Sequence, residues 1–353
     1  MENRGLFSRL DVPFIVGCSI LIALSIVVLR SIAPSLFPLY FFYMILAVLI
    51  FLVFTVIDFE ILSLFSKHLY IFSLLLLLLP LAIGQVTRGA IRWIPIGPLT
   101  IQPAEIVRPL LLIFFANFLT QKAFTGGRLL SSLVLLAPPV LLILIQPSLG
   151  VATLTVVGFL GALLATQMKK RYFIPAFGIF LVLIPLIWTV MAPYQKARIL
   201  TFLDPGKDPQ GAGYNSIQSM ITVGAGKFFG RGLGKGVQTQ LSFLPERHTD
   251  FIFASIAEEL GFFGSFVLLM GLFFIFWRLS GVLTDTKSPA ARAFVSGIFL
   301  TLFLQTFVHI GMNMGLLPIT GIPLPLVSAG GSSLLGTSLG FALALTCRKQ
   351  KFA

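Results

Sequence analysis

The sequence predicts an all-α protein that crosses a membrane about ten times. Of its 353 residues, 57% are hydrophobic and only 10% are charged, and the mean hydropathy is +1.00. Soluble domains carry about 25% charged residues, so this composition excludes an ordinary soluble protein. A span needs ~20 residues, and a chain of this length therefore holds roughly ten membrane helices with their connections.

Ten apolar runs supply these spans. Their approximate positions are 12–30, 39–57, 68–86, 102–121, 129–145, 147–167, 172–191, 250–278, 291–313 and 322–346. The first run is long and has no small-residue cleavage pattern before Arg30, so we interpret it as a span and not as a signal peptide. The fifth and sixth runs meet at Gln146 and Pro147 almost without a loop. We treat residues 1–353 as a single membrane domain.

Basic residues predict that both chain ends lie in the cytoplasm. With the ends inside, the short outer loops hold only Arg30, Arg88 and Arg92 among the Lys and Arg residues, whereas the inner segments are rich in them. This asymmetry follows the positive-inside rule. The long segment 192–249, between spans seven and eight, is then extracytoplasmic.

The net charge and the cysteines exclude two further classes. Membrane topology explains the net charge of +13, and no basic soluble domain with interleaved aromatic residues is present, so nucleic acid is not an expected partner. Cys18 and Cys347 lie near opposite ends of the chain and indicate neither a disulfide framework nor a metal site.

Helical rise places several polar groups at one level of the membrane. At 1.5 Å per residue, Glu258 lies ~30 Å above Arg278, and Arg108 lies ~21 Å above Lys122. By the same measure Ser333 lies ~22 Å above the end of the last span. Charge near hydrocarbon is costly and usually functional. The sequence therefore predicts a polar cavity in the outer leaflet.

The stretch 243–261 connects the long loop to the eighth span at the depth of the outer leaflet. Four carboxylates stand there directly before a long apolar run, and they are Glu246, Asp250, Glu258 and Glu259. A second interpretation stays open, because Thr249 or Asp250 would also suit the cap of the following helix. His248 has no second His or Cys close to it in the sequence, so a zinc site is not expected.

A broken segment precedes the last span. Residues 318–333 are rich in Pro, Gly and Ser, and the remainder to Thr346 is too short to cross a membrane alone. Non-helical backbone at membrane depth is tolerated only where protein covers it or it lines a watery cavity. We expect Ser328, Ser332 and Ser333 to face the cavity.

Other polar features allow two interpretations each. Glu105 and Arg108 share one helix face at i, i+3 spacing and either neutralise each other or line the cavity. The glycine-rich loop 224–236 fits no nucleotide-binding motif. It is either a flexible linker or a cationic loop that approaches phosphate through its amides and Lys227, Arg231 and Lys235. Residues 214–223 suit a short helix, which lies in the outer interface or simply packs against the spans.

Several of these segments together resemble the SEDS family, named for shape, elongation, division and sporulation. The similarity runs over essentially the whole chain and is nearer to the rod-shape branch than to the division branch. The matching motifs are 88–93 (RGAIRW), 102–105 (QPAE), 202–214 (FLDPGKDPQGAGY), 232–238 (GLGKGVQ), 243–253 (FLPERHTDFIF), 258–261 (EELG) and 321–333 (GIPLPLVSAGGSS). Two departures are Arg108, where the family usually has Lys, and Ser148, where it usually has Asp.

The resemblance implies a peptidoglycan glycosyltransferase of the bacterial cytoplasmic membrane that polymerises lipid II for cell elongation and rod shape. The family's essential aspartate falls on Asp250 and its intramembrane glutamate on Glu105. In an inverting transfer, we expect Asp250 to act as the general base. Implied partners are a class B penicillin-binding protein and membrane proteins of the elongation complex.

Charge on the leaving diphosphate needs compensation in such a reaction. The cations expected to supply it are Arg88, Arg92, Lys196 and Arg198. Mg²⁺ or Mn²⁺ is implied by the resemblance and by general phosphate chemistry, but no ligand set in the sequence demands a metal. Two other functions stay open, which are a lipid II flippase and a noncatalytic scaffold for a penicillin-binding protein.

Overall fold

The computed structural model describes residues 11–87, 90–97, 99–166, 193–211 and 213–348. Within these ranges, seven helices are long and apolar enough to cross a membrane, and two shorter apolar helices accompany them. The chain is therefore a multi-pass membrane protein. The seventh predicted span, 172–191, lies outside the described residues, and so does Arg88.

The helices and strands follow one another in an order close to that of the predicted spans. They are α1 Val12–Ile32, α2 Phe37–Val56, α3 Phe59–Leu64, α4 Ser66–Ile83, β1 Gln85–Thr87, β2 Ala90–Ile96, β3 Leu99–Ile101, α5 Pro103–Thr120, α6 Gly126–Ile145, α7 Leu149–Leu164, α8 Pro193–Leu203, α9 Tyr214–Ala225, α10 Val237–Gln240, α11 Ile252–Thr284, α12 Pro289–Asn313 and α13 Gly331–Thr346. Helix α9 confirms the short helix predicted from residue 214, and it packs against α11 and α12.

A small antiparallel sheet corrects the all-α prediction. Strand β2 pairs with β1 on one side and with β3 on the other, and Gly97 turns the chain between β2 and β3 with φ of +61°. The strands are short and rich in β-branched residues, which favour extended backbone. The predicted third span ran to residue 86, but helix α4 ends at Ile83.

Tyr43 of α2 fixes this sheet to the helices. Its hydroxyl donates to the carbonyl oxygen of Thr100 at 2.7 Å and accepts from the Thr100 amide at 2.8 Å. Both main-chain hydrogen-bonding groups of Thr100 are thereby satisfied.

Helices α5 and α13 form the centre of the molecule. Almost every residue of both is buried, and Gly336 of α13 approaches so closely that an added Cβ would lie 2.4 Å from the Glu105 carbonyl oxygen. Helices α7 and α12 also touch through glycines, since a Cβ at Gly161 would lie 2.8 Å from the Gly297 Cα. Small residues at such contacts let membrane helices pack closely.

Ion pairs gather the two described chain ends at one side of the molecule. Asp11, at the start of α1, pairs with Arg278 and with Arg348, the latter at 3.2 Å. On the same side Lys287 pairs with Asp58 at 2.8 Å. These contacts agree with the expectation that both chain ends lie on one face of the membrane.

At the opposite side, the glycine-rich loop fills a break in helix α11. Gly261 has φ of +67° and ψ of −158°, so the helix is interrupted there. The interruption leaves carbonyl and amide groups without their helical partners. Arg231 N donates to Glu258 O at 2.8 Å and Gly232 N to Glu259 O at 3.0 Å, while the Phe262 amide donates to Lys227 O at 3.0 Å.

Close packing accompanies these bonds, so the loop is a built part of the fold and not the flexible linker that composition favoured. A Cβ added at Gly226 would lie only 1.6 Å from the Ala257 carbonyl oxygen. The depth estimate for Glu258 is corrected as well, because it assumed one straight helix down to Arg278.

Candidate functional site

Asp250 lies in a turn directly before helix α11. The helix begins at Ile252 with Phe251 in the cap position, and no side chain caps it from that position. The alternative that Thr249 or Asp250 serves as the cap is therefore wrong. Thr249 instead donates its hydroxyl to a carboxylate oxygen of Glu246 at 3.1 Å, and Glu246 adopts a left-handed φ of +52°.

The Asp250 carboxylate and the Arg198 guanidinium converge on Gly321. A methyl group built on Gly321 would lie 3.5 Å from Asp250 Oδ2 and 3.8 Å from Arg198 Nη1. Asp250 is half-buried, and Arg198, on helix α8, donates to the Ile319 carbonyl oxygen at 3.2 Å. Gly321 itself has φ of +70°, a conformation that glycine adopts without strain. A carboxylate and a cation therefore meet beside an open glycine.

The bend 321–330 confirms the broken segment predicted before the last span. It has no helical residues, and protein covers it, since Ser25 donates to Val327 O at 2.6 Å and His309 Nδ1 lies 2.7 Å from Ile322 O. The bend also binds the Asp250 turn directly, because the Ala329 amide donates to His248 O at 2.9 Å.

Ser328 and Ser332 bind backbone groups, whereas the prediction was that they line the cavity. Ser328 is buried, accepts from the Leu324 amide and donates to the Thr249 carbonyl oxygen at 2.7 Å. Ser332 is buried and accepts from the Gln102 amide at 2.8 Å, which joins α13 to the start of α5. Both hydroxyls hold backbone in place because unpaired backbone groups at this depth are costly. Ser333 is also buried.

Glu105 and Arg108 form a buried ion pair on α5, with Glu105 Oε2 3.1 Å from Arg108 Nη2. Arg108 Nη2 also lies 3.4 Å from Gln305 Oε1. Arg108 adjoins a cavity of about 20 Å³, room for roughly one water molecule, which Thr155 and Thr301 also line. Arginine at this position thus keeps the charge and adds a contact to helix α12.

Helix α12 carries a stripe of polar side chains from this pair outward to the Asp250 turn. Gln305 donates to Pro323 O at 2.8 Å, His309 contacts Ile322 O, and Asn313 donates to Asp250 O at 3.0 Å. His309 is fully buried, and its ring is held by the hydrogen bond with Ile322 O. Gln305 and Asn313 were not among the predicted site residues, although their i, i+4, i+8 spacing with His309 in an apolar span was a usable signal.

Glu258 lies away from the Asp250 turn. The prediction that it lines the cavity is wrong, because its carboxylate anchors the end of the glycine-rich loop. It is 1% exposed, and its two carboxylate oxygens accept the amides of Gln238 at 2.9 Å and Thr239 at 3.0 Å. These amides belong to α10 at the end of the glycine-rich loop. A buried carboxylate is stabilised when backbone N–H groups satisfy it in this way.

The remaining predicted site residues lie on the side of the molecule opposite the chain ends, and they differ in how far they are buried. Lys196 is half-buried on α8, His248 is half-buried in the Asp250 turn, and Arg92 on β2 lies 5.9 Å from the centre of the Trp93 ring. Lys227, Arg231 and Lys235 are exposed on the glycine-rich loop. Arg198 is exposed on α8, and its guanidinium approaches Gly321, as the Asp250 carboxylate does.

The described part of the chain holds no site at which side chains alone would bind a metal ion. Among the residues described, no group of three or more His, Cys, Asp or Glu side chains is close enough to hold a metal ion. Mg²⁺ and Mn²⁺ prefer several oxygen ligands. We therefore assign no step of a reaction to Mg²⁺ or Mn²⁺.

Comparisons with curated proteins reveal close relatives. The chain is 37% identical over 289 residues to peptidoglycan glycosyltransferase MrdB of Escherichia coli strain K12, covering 81% of this chain and 78% of that protein. It is 35% identical over 285 residues to the probable peptidoglycan glycosyltransferase FtsW of Buchnera aphidicola subsp. Baizongia pistaciae, covering 79% of this chain and 74% of the relative.

Solved structures share the fold. A chain from a peptidoglycan synthase complex, described for its structural coordination of polymerization and crosslinking, superposes with a TM-score of 0.83 at 30% identity and covers 95% of this chain and 96% of that one. The rod shape determining protein RodA of Thermus thermophilus superposes with a TM-score of 0.72 at 26% identity, covering 97% and 98% of the two chains. A family model described as a cell cycle protein, of the FtsW, RodA and SpoVE type, matches residues 6–352. The chain therefore belongs to the FtsW/RodA/SpoVE family, the SEDS proteins.

Proposed function

We propose that this protein is a peptidoglycan glycosyltransferase that joins the disaccharide units of lipid II into glycan strands. Its family membership and the curated glycosyltransferases it resembles support this activity. The observation that carries the proposal for this site is the meeting of the Asp250 carboxylate and the Arg198 guanidinium at Gly321. We place the reaction at the outer face of the bacterial cytoplasmic membrane, and its product serves elongation and rod shape.

In the proposed reaction, the 4-hydroxyl of one sugar attacks the anomeric carbon of another. The new C–O bond forms as the bond to diphosphate breaks, and the configuration inverts from α to β. Asp250 takes the proton of the attacking hydroxyl as general base, a role for which an inverting transfer needs one positioned carboxylate. Diphosphate is a good leaving group and needs little help from a general acid.

The leaving diphosphate carries negative charge that the site must stabilise. The Arg198 guanidinium and the Asp250 carboxylate both approach Gly321, and Lys196 lies two residues before Arg198 on the same helix. Fixed cations aimed at developing charge supply this kind of stabilisation. We assign Arg198 to the diphosphate because its planar guanidinium can bind two phosphate oxygens at once. Glu105 and Arg108 lie further inward, and we assign them to the inner wall of the substrate site.

The variant Asp250→Asn tests the role of the carboxylate. An amide keeps the size of the side chain but cannot take a proton, so we expect polymer formation from purified lipid II to fall at least ~100-fold, the range typical of general base catalysis. The measurement is glycan length on a gel with protein in detergent.

The matched control is Asp204→Asn, which makes the same chemical change on an exposed residue at the end of α8, where Asp204 pairs only loosely with Lys207 at 3.3 Å. It should polymerise at the wild-type rate. Substantial polymer from Asp250→Asn with normal folding would remove Asp250 from the role.

The same assay separates the alternatives. A lipid II flippase or a noncatalytic scaffold makes no glycan chains from purified substrate, whereas a polymerase does. Within the described residues, the Asp250 carboxylate and the Arg198 guanidinium lie on the side opposite the chain ends, while transporters bind their substrates near the bilayer midplane. The glycosyltransferase is therefore the better proposal.

A crosslinking enzyme is the proposed partner. The peptidoglycan synthase complex that this chain resembles is described in terms of polymerization and crosslinking. We propose that the partner of this chain is a class B penicillin-binding protein, together with membrane proteins of the elongation complex. Copurification with such a protein from the native membrane tests this part.

A further inference from the structure

The backbone that presents Asp250 is held by its carbonyl groups. Four consecutive carbonyls accept hydrogen bonds from four different donors, in the order Arg247 O from Ser255 Oγ at 2.9 Å, His248 O from Ala329 N at 2.9 Å, Thr249 O from Ser328 Oγ at 2.7 Å and Asp250 O from Asn313 Nδ2 at 3.0 Å. We call these four donors the Asp250 frame. The donors come from α11, from the bend 321–330 and from α12.

Asn313 is the member of the frame that bonds Asp250 itself. It is fully buried at the end of α12, and its Nδ2 donates both to Asp250 O and to His309 O at 2.8 Å. Its Oδ1 accepts the amide of Ala254 at 3.0 Å. Two carbonyls on one side and an N–H on the other determine which end of the amide is nitrogen.

The Ala254 contact makes Asn313 a cap supplied by another helix. The first amides of a helix have no intrahelical acceptor, and a side-chain oxygen normally satisfies one of them. Helix α11 has Phe251 at its cap position, which offers no such oxygen. Asn313 therefore fixes the start of α11 and the carbonyl of the preceding Asp250 at the same time. Its own carbonyl accepts from Ser219 Oγ at 2.8 Å, which anchors it in turn.

We propose that Asn313 is a positioning residue for the transfer reaction, acting through Asp250 and making no contact with substrate. This inference rests on the proposed function, because it assumes that Asp250 is the base. A misplacement of about 1 Å at a catalytic group costs roughly 100-fold in rate. Removal of the amide at 313 should therefore lower kcat and leave the binding of lipid II unchanged.

The test compares Asn313→Leu with Asn117→Leu in the full chain. Asn117 is also a buried helical asparagine, and its Nδ2 donates to Ser63 O at 2.7 Å and Ser66 Oγ at 2.8 Å at the other end of the molecule. Asn313→Leu loses three side-chain hydrogen bonds and Asn117→Leu loses two, so both variants should lose thermal stability. We expect kcat to fall about 10- to 100-fold in Asn313→Leu with KM for lipid II unchanged, and kcat to stay at the wild-type value in Asn117→Leu.

A second variant separates the bond to Asp250 from the cap. Asn313→Asp keeps an oxygen for the Ala254 amide, but its other oxygen would face the Asp250 and His309 carbonyl oxygens, so we expect a lower melting temperature together with a reduced kcat. A wild-type kcat in folded Asn313→Leu or Asn313→Asp overturns the proposal, and so does an equal kcat loss in Asn117→Leu. Failure of both position-313 variants to fold also overturns it, because the residue would then serve the whole fold.

Asp250→Asn is assayed in the same series to keep the two proposals apart. If Asp250→Asn makes polymer, the base assignment fails and the positioning role fails with it. If Asp250→Asn is inactive and Asn313→Leu has the wild-type kcat, only the positioning role fails.

Discussion

Glu258 and Glu259 are neighbours in the sequence, are both buried, and both accept hydrogen bonds from α10, although only Glu259 also binds Ser31 and Gly234. Glu258 accepts two backbone amides of α10, whereas Glu259 Oε1 accepts Ser31 Oγ at 2.7 Å, Gly234 N at 3.1 Å and Gln240 Nε2 at 3.0 Å. Each carboxylate thus ties the glycine-rich loop to the helices. Carboxylates in a membrane protein are often read as substrate ligands, but here their hydrogen bonds explain them as structural anchors.

The variant Glu258→Gln should loosen the loop. The amide offers one oxygen where the carboxylate offers two, and its NH₂ group would face a backbone N–H, at a cost of about 1–3 kcal/mol. We expect a lower melting temperature and faster trypsin cleavage after the exposed Lys235. Glu60→Gln at the other end of the molecule, which alters a contact with Ser288, is the control and should leave that cleavage unchanged. Equal cleavage in wild type and Glu258→Gln would contradict the anchor role.

At the scale of elements, the interruption of α11 and the glycine-rich loop form one unit. The loop provides the partners that a continuous helix would have provided, and glycine is required where the two backbones touch. Gly230 has φ of +79°, and a Cβ there would lie 2.2 Å from the Glu259 carbonyl oxygen. The segment between Ile252 and the interruption is therefore held by the loop on one side and by Asn313 on the other.

The variant Gly226→Ala should disrupt this unit. Its Cβ would lie 1.6 Å from the Ala257 carbonyl oxygen, so the backbone must shift. We expect a loss of about 2–4 kcal/mol in stability, in the range of strong steric mutations. Gly224→Ala, two residues earlier, meets no atom within 4 Å and serves as the control. Thermal unfolding in detergent measures both, and equal melting temperatures would contradict the packing described.

At the scale of the whole molecule, one side holds stabilising ion pairs and the other holds the candidate site. One side holds ion pairs among Asp11, Arg278, Arg348 and Asp285, and the other holds Asp250 with its frame. The buried helices α5 and α13 run between them. Stability and chemistry are therefore expected to respond to different substitutions.

The variant Asp11→Asn tests this separation. Asparagine still caps α1, where Asp11 accepts the Phe14 amide, but it removes the charge that pairs with two arginines. Because the arginine side chains are 22% and 36% exposed, we expect a loss of about 1–3 kcal/mol, below that of a fully buried pair. Polymerisation per folded molecule should not change. A large drop in kcat would show that the two sides are coupled.

Hydropathy predicted most of the helices because hydrocarbon demands long apolar segments whose backbone bonds are internal. Most of the described helix ends fall within a few residues of the predicted ones. The start of α13 is an exception, because the bend fills the first part of that run. The sheet and the interruption at Gly261 were missed because short strands and single glycines leave little local pattern.

The candidate site was predicted only in part, for a related reason. Charged residues in apolar runs predicted that polar groups share one depth in the membrane. The resemblance to the family predicted the importance of Asp250. The partners that hold Asp250 were not predictable, because Asn313 and Ser328 lie 63 and 79 positions away from the carbonyls they bind. Such contacts depend on how the helices pack, which a single sequence does not encode locally.

The four donors of the Asp250 frame bind only main-chain carbonyl oxygens. The residue at position 250 can be exchanged without removing any of the four bonds. A cysteine introduced there would carry a fluorophore to the Asp250 turn while its backbone bonds stay in place. Under the proposed mechanism that molecule cannot turn over its substrate, so the arrival and departure of an undecaprenyl-linked sugar become visible as separate optical events.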